Sequence, residues 1–386
     1  MKPRILTSLL FAFLLSAYHA LCAPAKPVIA AYVFTHEAPL APGQVDPHKL
    51  TRVNYAFANI ESSRIVEGNP VTAGNLAVLT ALRHDNPDLT VLISVGGWTW
   101  SGGFSDMALT PASRAAFIDS VTAFLTRYDL DGLDVDWEYP GLPGLGNKFR
   151  PEDKQNYTLL MKELRARLDS MEKQAHRHLY LSVAAGAATE FLEHTEMGEV
   201  QKYVDTVNLM AYDYYEPTDQ AVTGNHAPLF TDPADPKAIS ADRSVHEFEQ
   251  VGVPAEKIVL GVPFYGHAWG QVPATNNGLF QRGKPVPDTP ANYGDVTGSM
   301  IGHGYTRHWD KAASVPWLYN AQKQIFVTYE DPESLALKCR YVLDHHLAGV
   351  MFWDYFSDPS GTLLNTIDAA LLPRTASHAA AKSAKP

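Results

Sequence analysis

Eight short apolar runs recur along the chain, and helix-like stretches separate most of them. The runs cover residues 28–34, 53–60, 89–97, 132–138, 178–185, 204–212, 257–264 and 349–353. Near-continuous apolar strands that alternate with helices are typical of a parallel sheet covered by helices. Because eight such strands can close on themselves, the pattern predicts an α/β fold, a (β/α)8 TIM barrel. The spacing breaks once, at residues 268–326, which are too many for a simple loop.

The two ends of the chain differ in composition from its middle. Lys2 and Arg4 precede an apolar run over 5–17 and small residues up to Ala25. This three-part layout predicts a secretory signal peptide at 1–25, and hence a secreted or periplasmic protein. Residues 373–386, in which Ala, Lys and Ser dominate, are expected to form a disordered tail.

Net charge indicates the class of binding partner, and cysteine content indicates whether disulfides form. The formal net charge of -11 argues against nucleic acid or an acidic membrane surface, and a neutral substrate suits it better. Cys22 falls within the predicted signal peptide, so Cys339 remains alone and no disulfide is expected. We expect a monomer, with Cys339 as a buried, unreactive thiol.

The least ordinary stretch is 131–140, which reads DGLDVDWEYP. On a strand, Asp134, Asp136 and Glu138 share one face. Such neighbouring acids cannot all ionise cheaply, so at least one pKa rises and the last acid could hold a proton. A solvated edge strand is the ordinary alternative. The amphipathic 115–128 and the Gly- and Pro-rich 141–147 on either side instead favour a buried parallel strand.

Four other strand ends carry polar or aromatic residues, and strand ends are where a barrel of this type builds its active site. They read SVGGW at 94–98, MAYD at 210–213, GVPFYGH at 261–267 and GVMFWD at 349–354. Each of them alone is more often structural.

Together with D-x-x-D-x-D-x-E-Y-P, these motifs resemble those of glycoside hydrolase family 18, the chitinase family. They occur in the family's order and span nearly the whole mature chain. The resemblance implies a barrel made of 26–267 and 327–372, with a small α+β insertion domain at 268–326 that forms one wall of a cleft.

The resemblance also implies an activity, hydrolysis of β-1,4-N-acetylglucosamine linkages in chitin and its oligosaccharides. Family 18 is a known case of substrate-assisted catalysis with retention of configuration. Glu138 would protonate the glycosidic oxygen while the 2-acetamido carbonyl of the sugar attacks, giving an oxazolinium ion. Asp136 would hold the acetamide N–H, Asp134 would share a proton with Asp136, and Tyr212 would donate to the acetamide oxygen. The reaction needs no metal or organic cofactor.

Substrate contacts are expected from further residues at the strand ends. Aromatic faces suit them because they stack on the C–H faces of sugars, and Trp353 would floor the subsite of the scissile sugar. His267 stands where the family often has Arg, which adds a titratable group. The full set is Tyr32, Phe57, Gly97, Trp98, Tyr139, Met210, Asp213, Tyr265, His267 and Trp353.

Two other functions remain open on the same fold. A chitin-binding lectin would typically lack the last acid, whereas Glu138 is present. An endo-β-N-acetylglucosaminidase would act on N-glycans, but the insertion and Trp353 favour linear polymers. A peptidoglycan hydrolase is less expected, because we find no lysin-type module.

Overall fold

The computed structural model describes residues 26–217, 221–286 and 291–372. Eight parallel strands follow one another around a closed barrel, and the last pairs with the first. This confirms the predicted (β/α)8 TIM barrel. The strands are β1 (Val28–Phe34), β2 (Arg52–Glu61), β3 (Thr90–Gly96), β4 (Gly132–Asp136), β5 (Tyr180–Gly186), β6 (Thr206–Met210), β7 (Ile258–Pro263) and β8 (Gly349–Trp353).

Helices lie in the connections between these strands and after the last strand. The amphipathic stretch 115–128 lies in the helix Pro111–Arg127, which begins four residues earlier and ends one residue earlier. The bounds of the helices are Thr72–Ala81, Phe104–Ala108, Pro111–Arg127, Asp153–Ala175, Thr189–Glu193, Met197–Val200, Ala241–Gln250, Pro332–Asp344 and Thr362–Leu371. In the described part of the chain, none combines the length and apolar character needed to cross a membrane.

Side-chain caps fix where two of the longer helices begin. Thr110 accepts a hydrogen bond from the backbone N–H of Ser113, whose hydroxyl bonds back to Thr110, and Pro111 occupies the first helical position. Asp331 and Ser334 form the same reciprocal box at the start of the second helix, with Pro332 at its first position. These caps satisfy N–H groups that have no partner within the helix, and proline loses no hydrogen bond at that position.

Close packing of β4 against β5 depends on a glycine. A Cβ atom on Gly132 would lie 2.0 Å from the carbonyl oxygen of Tyr180, so a larger residue would push the strands apart. Side chains that point outward from β4 join the apolar layer beneath the helices. Trp137, just after the strand, stacks on Phe104 with ring centres 5.1 Å apart. The inward side chains are free to be polar.

A second sheet lies between β7 and β8 in the sequence. Its five antiparallel strands are, in spatial order, Lys284–Pro285, His267–Gly270, Ile325–Thr328, Val315–Asn320 and Thr306–Asp310. Trp269, Trp317, Tyr319 and Phe326 form a core of its own, which Tyr215 also joins. Its first strand already begins at His267. The existence of a separate α+β domain with boundaries at 268 and 326 stays a prediction.

The connection after β6 is also long, and the sequence pattern did not reveal it. Residues 211–217 and 221–240 contain no helix and no strand of either sheet. They pack beside the second sheet, where the Asn225 side chain donates to Asp310 over 2.7 Å. The regular spacing is therefore broken at two places, and the first break carries residues of the candidate site.

Three predictions concern the ends of the chain and its cysteine. The predicted signal peptide at 1–25 and tail at 373–386 lie outside the described residues. Cys339 is buried, and burial raises the pKa of its thiol to about 12.

An ion pair beside Cys339 anchors the helix Pro332–Asp344 to the connection after β6. The side chains of Lys338 and Glu330 are each 1% exposed. Lys338 donates to the Glu330 carboxylate and to the carbonyl oxygen of Ala227, and the Ser334 hydroxyl donates to Glu330 over 2.6 Å. A buried charge that loses such a partner is costly.

We predict that Lys338→Met lowers the free energy of unfolding by roughly 3–5 kcal/mol, because Glu330 is left as an unpaired buried charge. Urea titration followed by tryptophan fluorescence would measure the change. The double variant Lys338→Met/Glu330→Gln should recover much of the loss, since no lone charge remains. A single variant within about 1 kcal/mol of the parent protein would contradict this prediction.

Candidate active site

Three acids rise in a row through the centre of the barrel towards the carboxyl ends of the strands. Asp134 and Asp136 point inward from β4, and Glu138 follows two residues after the strand, which ends at Asp136 rather than at Glu138 as predicted. Their exposed fractions are 0%, 4% and 8%. The alternation of a strand therefore places all three on the predicted face and buries them.

The lowest acid, Asp134, accepts hydrogen bonds from four neighbouring strands. The donors are the hydroxyls of Tyr32 (2.9 Å), Ser94 (2.8 Å) and Ser182 (2.6 Å) and the side-chain amide of Asn208 (3.1 Å). Burial raises the pKa of Asp134, while the three hydroxyls and the positive charge of Arg52 oppose the rise. In the described part of the chain, no hydrogen bond joins Asp134 to Asp136.

A chain of hydrogen bonds links Asp134 to Arg52 deeper in the barrel. The Arg52 guanidinium donates to the Thr206 hydroxyl over 2.8 Å. That hydroxyl then donates to the side-chain oxygen of Asn208 over 3.3 Å, which leaves the amide N–H groups of Asn208 to face Asp134 and Tyr32. Arg52 can only donate hydrogen bonds, so the Thr206 hydroxyl passes its own proton on to the side-chain oxygen of Asn208. This direction of the hydrogen bonds fixes which end of the Asn208 amide faces Asp134. No sequence motif predicts this set of hydrogen bonds, because its members lie on two separate strands, β2 and β6.

The upper two acids are held mainly through their backbone. Gly97 N–H and the Ser101 hydroxyl donate to the carbonyl oxygen of Asp136. Ser101 also accepts from the N–H of Glu138, and Asn147 donates to the carbonyl oxygen of Glu138. The carboxylate oxygen Oδ1 of Asp136 is buried and meets no hydrogen-bond partner among the described residues.

Burial and mutual repulsion both act on these acids. Burial, Glu138 and Asp134 together raise the pKa of Asp136 well above its usual range. Burial raises the pKa of Glu138 to about 7, against the effect of the Tyr139 hydroxyl, and the charges of Asp213 and Glu216 add to the rise. The row can therefore keep protons at neutral pH.

Aromatic rings line the mouth of the barrel on both sides of the acids. Trp353 stacks on Phe57 and on Phe34, each with ring centres 5.5 Å apart. Trp98 lies 6.4 Å from the Tyr139 ring and is 48% exposed, which is high for so large an apolar side chain. The structure thus brings together the predicted residues on these walls and leaves Trp98 free to contact a ligand.

The remaining predicted residues near the mouth occupy supporting positions. Met210, Tyr212 and Trp353 pack against a buried cluster that contains Phe57. Gly97 has a φ of +76°, and a Cβ atom there would lie 2.6 Å from the Phe57 ring, so the site requires glycine. Burial raises the pKa of Tyr212 well above its usual range, with Asp136, Asp213 and Glu138 adding to the effect.

A cavity of about 270 Å³ opens beside Trp353. Its polar side chains are those of His36, Asn292, Asp354 and Ser357, and its aromatic ones are Phe34, Tyr265 and Trp353. Aromatic surface with a few polar groups is the usual lining of a small-molecule site.

A second polar cluster centres on Asp213. The Tyr265 hydroxyl lies 2.7 Å from both carboxylate oxygens, and His267 Nε2 lies 2.8 Å from Oδ1. His226 Nδ1 is 3.5 Å from the same oxygen. Burial alone would raise the pKa of Asp213. The contacts with the two histidines outweigh burial and lower this pKa below its usual range. Sequence reasoning missed His226, because a single histidine in a loop carries no spacing signal.

Among the described residues, Asp213, His226 and His267 form the one group of three ligating side chains close enough to share a metal ion. Cys339, whose thiol is also a potential metal ligand, is not part of this group and lies in the helix Pro332–Asp344.

Comparison with known protein families accounts for most of the chain. Residues 28–358 match the family described as Glycosyl hydrolases family 18. This chain belongs to glycosyl hydrolases family 18. It is thus a glycoside hydrolase, as the motifs at the strand ends predicted.

Members of family 18 resemble the chain in sequence and in structure. Chitinase A1 of Niallia circulans is 36% identical over 85% of this chain, which spans 55% of that relative's length. A solved family 18 N-acetylglucosaminidase from Paenibacillus barengoltzii is 41% identical with a TM-score of 0.82, covering 89% of this chain and all of that chain. A Group IV chitinase of Ostrinia furnacalis in complex with allosamidin is 29% identical with a TM-score of 0.80, covering 90% and 99%.

We predict that Asn208→Leu destabilises this family 18 barrel by about 2–3 kcal/mol, because Asp134 loses one of its four donors and the Thr206 hydroxyl loses its acceptor. Thermal and urea unfolding would measure the change. Asn54→Leu is the matched control, since Asn54 is fully buried but its side-chain amide meets no partner among the described residues. Equal destabilisation by both substitutions would contradict the assigned role of Asn208.

Proposed function

We propose that this chain is a chitinase that hydrolyses β-1,4-N-acetylglucosamine linkages with retention, using the acetamido group of its substrate as the nucleophile. The observation that carries the proposal is the buried row of three acids, in which four donors hold Asp134 while Asp136 keeps a buried oxygen that meets no partner among the described residues. A row of this kind holds one firm anion at its base and a transferable proton near its top.

Glu138 acts as the general acid. Its pKa of about 7 keeps a proton available at neutral pH, and it lies at the cleft end of the row, where a glycosidic oxygen can approach. An acid whose pKa is near the working pH transfers its proton most effectively. After the oxazolinium ion forms, the same group accepts a proton from the attacking water.

Asp136 orients the nucleophile. Its unpartnered Oδ1 is available to accept the acetamide N–H of the substrate, which holds the acetamido carbonyl against the anomeric carbon. Tyr212 lies among Asp136, Asp213 and Glu138 and supplies a hydroxyl that remains protonated and can donate to the acetamido oxygen. This geometry supplies proximity and charge stabilisation for the ring closure.

Asp134 stabilises the base of the row and stays an anion. Four donors occupy its acceptor positions, so a proton shared within the row rests on Asp136 or Glu138. Tyr32 is 2% exposed and donates to Asp134. We therefore assign Tyr32 a positioning role through Asp134, in place of the sugar contact expected from the sequence.

Aromatic surfaces bind the sugars on either side of the scissile bond. Trp353 floors the subsite of the reacting sugar, the cavity beside it receives the sugar on the non-reducing side, and Trp98 stacks on the leaving sugar. Four further residues shape the sugar-binding surface around Trp353 and Trp98: Phe57, Gly97, Met210 and Tyr139. The opposite wall of the cleft is lined by Asp213, Tyr265 and His267. The chitinases among its relatives support this choice of substrate.

A second candidate differs in the product released. The relative from Paenibacillus barengoltzii is an N-acetylglucosaminidase and aligns over its whole length with this chain. Chitohexaose digestion separates the two candidates. A chitinase releases mainly dimers, trimers and tetramers in the first turnovers, whereas an N-acetylglucosaminidase releases the monomer and leaves the pentamer. An N-glycan substrate in the same assay tests the endoglycosidase alternative, and a lectin would bind chitohexaose without cleaving it.

We predict that Glu138→Gln lowers kcat on chitohexaose by at least about 10²-fold while binding and thermal stability persist, because the amide keeps the shape but has no transferable proton. Chromatography of the products and isothermal titration would measure both properties. Glu193→Gln, at an exposed helix end, is the control and should retain full activity. Turnover by Glu138→Gln within tenfold of the parent enzyme would refute the assignment.

We predict that kcat/KM falls as pH rises through about 7, where Glu138 loses its proton. In Glu216→Gln one of the negative charges that raise the Glu138 pKa is removed, so the alkaline limb should move to lower pH. Profiles on a soluble chitin oligomer from pH 5 to 9 would show the shift, with Glu190→Gln as an exposed control. An unchanged limb, or one at higher pH, would contradict the electrostatic assignment.

A further inference from the structure

One cluster at the cleft has more ligating atoms than the proposed reaction uses. Asp213, His226 and His267 each offer one ligand atom, and these three atoms lie within 4.8 Å of one another. The two histidines come from different parts of the chain, His226 from the connection after β6 and His267 from the first strand of the second sheet. Both direct a ring nitrogen at the same carboxylate oxygen.

The two separations from Asp213 are close to those required by a small transition-metal ion. In a tetrahedral zinc site with bonds of about 2.0 Å, neighbouring ligand atoms lie about 3.3 Å apart. The observed distances from Asp213 Oδ1 are 2.8 Å to His267 and 3.5 Å to His226. Each of these two distances differs from that spacing by about half an ångström or less, and one ligand atom of each residue lies within 4.8 Å of the others.

The backbone already holds the three ligands in place. Asp213 has a φ of +58°, in the left-handed region, and its carboxylate contacts His267 in the first strand of the second sheet. The His226 N–H donates to the Thr328 hydroxyl, and its carbonyl oxygen accepts from Tyr214. His267 pairs in register with Thr328.

Access and outer contacts also fit a bound ion. The His226 side chain is 1% exposed, whereas Asp213 and His267 are 34% and 18% exposed, so an ion and one water can enter from the cleft. Tyr265 can keep its hydrogen bond to Oδ2 of Asp213 while Oδ1 binds the ion. Such a bond to the second oxygen orients a metal-binding carboxylate.

We propose that Asp213, His226 and His267 form a site for a divalent transition-metal ion, with Zn²⁺ as the representative, and that its occupation inhibits the enzyme. Two imidazoles and one carboxylate favour zinc, copper or nickel over magnesium or calcium. The bound ion takes over Asp213 and places a positive charge on the wall of the cleft. The site thus gives a means of inhibition separate from the proposed reaction.

The affinity is limited by one outer contact. When Nδ1 of His226 binds the ion, the ring carries its proton on Nε2, which meets no partner among the described residues. The absence of such a partner typically weakens metal binding by 10- to 100-fold. We therefore expect reversible binding that a chelator removes, rather than a permanently occupied site.

The test measures zinc binding without substrate, on tag-free full-length protein that has been treated with chelator and dialysed. Isothermal titration should show one Zn²⁺ per chain and no binding of Mg²⁺. His226→Asn and His267→Asn should each weaken Zn²⁺ binding at least tenfold. His178→Asn is the matched control, because the two nitrogens of His178 face different carboxylates, Glu172 and Asp205, and cannot bring both to one ion.

Three outcomes would overturn the proposal. The first is the absence of saturable binding below about 200 µM Zn²⁺, since zinc sites with this number of ligands bind more tightly. The second is equal Zn²⁺ affinity in the two cluster variants and the parent protein. The third is an anomalous zinc signal at another place in zinc-soaked crystals of the parent protein. The crystal measurement decides the matter if a variant does not fold. Addition of Zn²⁺ should also suppress chitohexaose hydrolysis reversibly. Failure of the proposed chitinase activity would leave the binding result intact.

Discussion

The burial of the Asp134 carboxylate is the constraint on which the rest of this structure depends. An ionised acid at the centre of a barrel is tolerated only when the surrounding groups replace water. Tyr32, Ser94, Ser182 and Asn208 do so from β1, β3, β5 and β6. Ser94 and Ser182 are the register partners of Asp134 on the two strands beside it, so a slip of one residue in either strand would remove a donor.

The chemistry at the cleft follows from this buried anchor. Asp134 is fully hydrogen-bonded, Asp136 keeps one oxygen without a partner, and Glu138 lies at the mouth with a pKa of about 7. Asp134 and Glu138 both add to the rise in the pKa of Asp136, because like charges two residues apart repel in a medium of low polarity. In the proposed mechanism, one strand and the two residues after it thus provide a fixed anion, an orienting group and a proton donor.

The sequence was sufficient for the barrel and for the row of acids, because both depend on local periodicity. The strands predicted at 28–34 and 349–353 have those bounds in the structure, and the alternation along 132–138 placed the acids on one face. Contacts between distant segments were not predictable. Arg52, Thr206 and Asn208 are ordinary residues in apolar strands, and only the closure of the barrel joins them.

The connection after β6 is the clearest example of what local pattern misses. It lacks regular structure, and its order comes from contacts with the second sheet, such as Asn225 with Asp310. Consequently, His226 looked like any loop histidine, although it is fully buried against Asp213. The motif residues Asp213, Tyr265 and His267 were predictable from the resemblance, but their arrangement around one carboxylate oxygen was not.

The central claim is that the substrate supplies its own nucleophile to this row of acids. The most direct measurement compares kcat/KM for chitotetraose and for its fully deacetylated counterpart, with binding of both followed by isothermal titration. The account predicts that the deacetylated oligomer binds and is not hydrolysed, because it has no acetamido carbonyl to attack the anomeric carbon. Equal hydrolysis rates for the two oligomers would contradict it.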